Sequence, residues 1–155
     1  EQRVYTSANI DLDNASKLID AAKGTSLDIS FTLQANAGTE AGINVFKSGD
    51  EETTISYNAD KKMISLDRTR SGDTSFHKDF ASIETMALNN APGEKIEFRI
   101  LIDKSMVELF VNDGEYALTD LVFPTKNNGG VELFSKNGKA VFSDIRIQKV
   151  DKTIH

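Results

Sequence analysis

The chain has 155 residues, 39% of them hydrophobic and 27% charged, with a formal net charge of −6. That size suits one ordinary domain with a real core, and the composition is that of a folded rather than a disordered protein. The excess of 24 Asp and Glu over 18 Lys and Arg argues against nucleic acid or an anionic membrane as partner, since both attract clustered cations, and no apolar run approaches the length of a transmembrane helix.

In chain order, short alternating segments predict strands at 4–10, 27–34, 43–47, 53–58, 63–68, 95–102, 106–112, 116–123, 130–135 and 140–150. Turn-rich stretches such as AGTEAG, SGDEE, ADKK, RSGD, APGE and TKNNGG separate them. Such spacing predicts an all-β fold, a two-sheet antiparallel β-sandwich of jelly-roll or lectin-like type, spanning 1–155 as one domain. The one helix-like candidate is DNASKLIDAAKG, residues 13–24. Its apolar positions sustain no long amphipathic face, so one short helix or a loop is expected there. The start, EQRVYTSANI, offers neither a basic n-region nor an apolar h-region, and it lacks an initiator Met. No signal peptide is expected, and the simplest account is a piece of a longer chain.

The hairpins can be set in register. In KIEFRILIDKSMVELFVN, a two-residue turn at Asp103-Lys104 would place Ile100 opposite Val107, Phe98 opposite Leu109 and Arg99 opposite Glu108. One face, Phe98, Ile100, Ile102, Val107, Leu109 and Val111, is strongly apolar and is expected in the core. The other carries Glu97, Arg99, Leu101, Met106, Glu108, Phe110 and Asn112. The next turn, Asp113-Gly114, has the sequence of a type I′ hairpin and sets Thr119 opposite Glu108. Tyr57 shares its parity with Ile55, Ile64 and Leu66, and Tyr116 falls opposite Val111, so both tyrosines are expected to face the core.

Catalytic chemistry is thinly supplied. There is no cysteine, hence no disulfide, no thiolate metal site and no thiol nucleophile. His77 has no second histidine at ligand spacing and His155 is terminal, while GxSxG elbows and Gly-rich phosphate loops are absent. Paired carboxylates could serve a small glycoside hydrolase, but abundant acids on so acidic a chain are ordinarily solvated faces. The loops SGDEE and RSGD offer oxygen ligands for a structural calcium ion, although no EF-hand spacing is present, and no other cofactor is expected. The densest constellation is SLDRTRSGD, residues 65–73. An Arg fork beside a carboxylate is a good receptor for vicinal hydroxyls, because one donates where the other accepts; Asp67 and Arg68 would pair with each other when the site is empty. A solvated ion-pair cluster at a strand end is the plain alternative. With no Trp in the chain, stacking along a crystalline polysaccharide is disfavoured against hydrogen bonding to a single sugar or chain end.

ISLDRTRSGDTSF followed by EFRILIDKSMVELFVNDGEYALTDLVFP resembles the C-terminal β-sandwich of glycoside hydrolase family 32, which includes invertases, inulinases and levanases. The matching segments are Leu66 to Gly72, Asp103 to Gly114 and Phe123-Pro124, and GVELFSKNGKAVFSDIRI is similar to the closing strands of that domain. The family places its catalytic acids on an N-terminal propeller, to which nothing in this chain corresponds. A free-standing sandwich of this kind also resembles a family 66 carbohydrate-binding module. The resemblance therefore implies a secreted, extracellular bacterial module that catalyses nothing itself, binds the terminal fructosyl unit of levan or another β-fructan, and belongs beside a catalytic propeller. The residues expected to bind are Asp67, Arg68 and Arg70, with Glu108 and Glu115 as a second cluster in which Arg99 orients Glu108. The resemblance equally allows an ordinary family 32 sandwich that docks on its propeller and binds no sugar alone, with Met106 and Phe110 as candidates for the docking patch.

Overall fold

A computed structural model describes residues 2–24, 26–72, 83–89, 93–125 and 129–150, with side chains from Tyr5 onward. Twelve strands carry the described fold: β1 Gln2–Asp13, β2 Ser16–Lys23, β3 Ser26–Ala35, β4 Glu40–Ser48, β5 Glu51–Asn58, β6 Met63–Asp67, β7 Ile83–Ala87, β8 Ile96–Asp103, β9 Met106–Val111, β10 Tyr116–Leu121, β11 Gly130–Lys136 and β12 Lys139–Lys149. They form two six-stranded sheets, sheet A in the order β1-β12-β3-β8-β9-β10 and sheet B in the order β2-β11-β4-β5-β6-β7. Every pairing is antiparallel. The expected two-sheet β-sandwich is thus present.

Period-two alternation builds the core. Sheet A contributes Leu27, Ile29, Phe31, Leu33, Phe98, Ile100, Val107, Leu109 and Phe142; sheet B contributes Ile43, Val45, Ile55, Ile64, Leu66, Val131 and Leu133. Each buried Leu, Ile, Val or Phe contributes about 1.5–3 kcal/mol over exposure, so the two inner faces bind the layers together. Phe31 stacks on Phe98 at 5.0 Å between ring centres, and Phe142 tilts against Phe31 at 5.5 Å. Tyr57 is buried with Ile55, Ile64 and Leu66, as its parity predicts, and Tyr116 packs partly against the same core.

Three sequence expectations are corrected. Residues 16–23 form an edge strand, not a helix or a loop. Ile19 and Ala22 are both buried, a helix-like spacing of three that arises from a bulge: Gly130 pairs with Lys23 while Val131 pairs with Ile19, leaving three extra residues on β2. Strand β7 was not expected; it is five residues long, and its Glu84 is less exposed than its Ile83, so no apolar alternation announces it. The β8–β9 turn holds Lys104 and Ser105, because Asp103 stays in β8 opposite Ser26, accepts the Ser26 hydroxyl at 3.2 Å and pairs with Met106. The register therefore slips by two. Both faces survive such a slip, but lateral neighbours do not: Arg99 lies opposite Phe110, and Glu108 opposite Leu101 and Thr119. The β9–β10 hairpin follows its predicted register, with left-handed Asp113 and Gly114 at the turn.

The sheets also meet at one edge, where β10 of sheet A approaches β6 and β7 of sheet B. Arg68, just past β6, donates from Nη1 to the Leu121 carbonyl at 2.9 Å. Its Nη2 lies 3.7 Å from Glu84 and its Nε 3.9 Å from Asp120. Arg68 and Asp120 are largely buried, with side chains 11% and 8% exposed. Burial pushes the Asp120 carboxyl up to about 7; a hydrogen bond with Glu84 adds to the rise and the Arg68 charge opposes it. Beyond β10, the chain crosses to sheet B, where the Thr125 amide and hydroxyl donate to the two oxygens of Glu51 at 2.9 and 2.6 Å. Gly72, at φ +124, lets residues 68–72 approach this segment: a Cβ there would collide with the Phe123 carbonyl oxygen. LDRTRSG and LVFP are therefore two sides of one contact.

Two outcomes follow at this edge. Gly72→Ala combines a steric clash with a φ unfavourable to L-residues, and should destabilise the domain by about 2 kcal/mol or more in urea unfolding. A carboxyl with a raised folded-state pKa keeps its proton longer in the folded chain, so its stabilising contribution is full below 3.8 and is lost as pH climbs to about 7. Melting temperatures across that window should fall with rising pH, and Asp120→Asn should flatten the fall; an unchanged slope would place the proton elsewhere.

Candidate functional site

Sheet B carries a trough on its outer face. Its middle row of Cα partners runs Phe134, Gly42, Ser56, Ser65, Thr85. Three consecutive small residues leave a depression between larger flanking rows. One flank is formed by Lys136 and Glu40, the other by Glu52, Thr54, Asp67, Thr69 and Arg70, with Ile83 and Phe134 as apolar walls. The cavity is about 280 Å³. Drug-sized ligands occupy pockets from roughly 300 Å³ upward, so this one is scaled to a single small polar group.

The polar groups are pre-positioned. Asp67 ends β6, and its Oδ1 accepts both the amide and the hydroxyl of Thr69, at 2.8 and 2.6 Å. That Asx-type turn fixes the carboxylate, while Oδ2 takes no bond among the described residues. Arg70 follows; its carbonyl accepts the Glu52 amide at 2.8 Å, which ties the 68–72 loop to β5. Its guanidinium makes no ion pair among the described residues. Thr54 donates to Asn44 at 2.6 Å, and Asn44 donates to Glu132 at 2.9 Å. Lys47 donates to Glu52 at 2.9 Å, and this bond is the main cause pushing the Lys47 amine above its ordinary value. The outer face is thus a hydrogen-bonded network with acceptors and one guanidinium at its open end, fitted to receive hydroxyl groups.

The five residues expected to bind are not gathered together. Asp67 and Arg70 share the sheet B trough. Arg68 does not line it and does not pair with Asp67, because its fork is committed to Leu121, Glu84 and Asp120. Glu108 belongs to the other sheet, beside Leu101 and Met106 in a shallow cleft of about 160 Å³. Glu115 is exposed at the β9–β10 turn, where its amide donates to the Asn112 carbonyl at 3.3 Å. Arg99 grips Asp28 through two bonds, 3.2 Å from Nε and 2.8 Å from Nη2, so it does not orient Glu108. Among the trough residues not anticipated are Glu52, Thr54 and Ser56. Their signal was available, for they occupy the parity opposite Ile55 and Tyr57. Among the described residues no three His, Cys, Asp or Glu cluster as metal ligands; His77 and Asp73 lie outside the described residues.

Comparison with known proteins agrees with this architecture. The family described as "Glycosyl hydrolases family 32 C terminal" matches residues 1–149. A levanase of Bacillus subtilis is 29% identical over 127 residues, 81% of this chain and 19% of that protein. An extracellular exo-inulinase of Aspergillus niger is 32% identical over 146 residues, 94% of this chain and 26% of that protein. The crystal structure of exo-inulinase from Aspergillus awamori superposes with a TM-score of 0.82 at 28% identity, covering 97% of this chain and 30% of that one. The chain therefore spans about a fifth to a quarter of these relatives' sequences. With strand order, linked motifs and family match in accord, the chain belongs to the C-terminal β-sandwich domains of glycoside hydrolase family 32.

Proposed function

We propose that this domain is a non-catalytic tether that receives the terminal fructosyl unit of levan, or of a related β-fructan, in the sheet B trough. It serves a secreted bacterial fructan hydrolase whose catalytic propeller is a separate part of the protein. The observation that carries the reading is the juxtaposition of Asp67 and Arg70 over the Ser56–Ser65 floor. Asp67 accepts from a sugar hydroxyl, Arg70 donates to its oxygen, and Ile83 and Phe134 cover the ring edges. A weak hold on chain ends raises the local substrate concentration for a linked catalytic site without any new chemistry. The kinship with levanase and with extracellular exo-inulinase supports both the substrate class and secretion.

Calorimetric titration of the full chain tests this reading. Levan should bind, fructose should bind more weakly, inulin sets the linkage preference, and no reducing sugar should be released. Arg70→Ala should weaken levan binding about tenfold, the loss of one charged hydrogen bond, with folding unchanged; Asp67→Ala should weaken it at least as much, because it also removes the two Thr69 bonds that shape the turn. Retention of full affinity by both variants would overturn the assignment.

A second reading is favoured by one observation. Ile83, Leu121 and Phe123 are 57%, 51% and 37% exposed and sit beside the Arg68 contact. This apolar edge, rather than Met106 and Phe110, is the surface on which a catalytic domain would dock. Silence with every fructan, together with association of a separately expressed catalytic domain that is lost in Leu121→Asp, would establish docking in place of sugar binding.

A further inference from the structure

A cavity of about 470 Å³, larger than the sheet B trough, lies on the outer face of sheet A. Its floor is one lateral row of Cα partners: Arg146 on β12 faces Ser30 on β3, Ser30 faces Arg99 on β8, and Arg99 faces Phe110 on β9. Neighbouring strands lie about 4.8 Å apart, so the two arginine Cα atoms stand roughly 10 Å apart across a serine too small to fill the gap. Arg99 is held by the largely buried Asp28, yet 57% of its side chain stays exposed. Arg146 is exposed and makes no ion pair among the described residues. An irregularity between Ser143 and Arg146 carries Asp144, at φ +52, to the rim. Such bulges re-aim side chains where a strand would otherwise run straight.

The charges select the ligand. Arg99 and Arg146 face Glu97, Asp113 and Asp144, so the lining carries one more anion than cation and disfavours a free phosphate or carboxylate. Guanidinium forks alternating with carboxylates, beside hydroxyls and one aromatic ring, suit a neutral ligand rich in hydroxyl groups. We propose that this cleft is a second carbohydrate site. It takes a short internal stretch of a polysaccharide chain laid along the Arg146–Ser30–Arg99 row, with one ring against Phe110. The sheet B trough is scaled to one unit, whereas this cleft is larger and opens along the sheet. The two lie on opposite outer faces of the sandwich, so one domain holds two chains, or a chain and another chain's end. The inference stands on sheet A geometry and does not require the sheet B site.

Titration of the full chain with a levan oligosaccharide, and in parallel with an inulin oligosaccharide, tests it. Two ligands per chain are expected. Arg146→Ala and Asp144→Asn, both at exposed positions, should each weaken one of the two events about tenfold and leave the other untouched; Arg70→Ala should do the reverse. One ligand per chain, indifferent to Arg146→Ala and Asp144→Asn, overturns the second site. One ligand per chain that is lost in Arg146→Ala but kept in Arg70→Ala supports the sheet A site and removes the sheet B one. Binding of neither oligosaccharide overturns it, as does a cleft that responds to those two variants only when a catalytic domain is added.

Discussion

A β-sandwich is closed by its core everywhere except at its rims, and here one rim depends on a guanidinium. Arg68 sits between the last strands of the two sheets, bonded to the Leu121 carbonyl and facing Glu84 and Asp120. Removing one partner from such a buried group leaves an uncompensated charge, which costs several kcal/mol. The two carboxylates face one cation, and Asp120 answers by holding its proton to about 7. The rest of the site hangs on this junction, because the loop that leaves Arg68 is the one that carries Arg70 to the trough and Gly72 to the Phe123 backbone.

This gives the two segments LDRTRSG and LVFP a shared structural role without assigning both to ligand binding. Within a single heptapeptide, Leu66 fills the core, Asp67 and Arg70 face the trough, and Arg68 and Gly72 secure the crossing chain. Alternation along the strand, then a turn, divides the labour. A substitution in this stretch is therefore informative only when folding and binding are measured together.

The outer faces differ in how they make room. On sheet B the depression comes from a row of Gly42, Ser56 and Ser65 between longer side chains; on sheet A it comes from Ser30 between two arginines and from the bulge at Asp144. Neither is a deep cavity. Both present hydrogen-bonding groups held by neighbours, Asp67 by Thr69 and Arg99 by Asp28, so these side chains keep little conformational freedom.

The sequence by itself determined the class of fold, the apolar faces of β8 and β9, the burial of Tyr57 and the β9–β10 register, because period-two patterning and the Asp113-Gly114 turn are local signals. The family motifs were equally legible. Only the tertiary structure decided which residues of the motif line the sheet B trough and which secure the Arg68 junction. Adjacent letters such as Asp67 and Arg68 look like one site, but the strand ends between them and their side chains diverge. The β8–β9 register, the strand at 16–23 and the edge strand β7 were also decided at a distance. Asp103 is held by Ser26 from another strand, the bulge on β2 disguises its alternation, and Glu84 turns toward the rim to meet an arginine that follows a different strand. Local pattern reports which face is dry; contacts between residues far apart in the chain decide what each polar side chain meets.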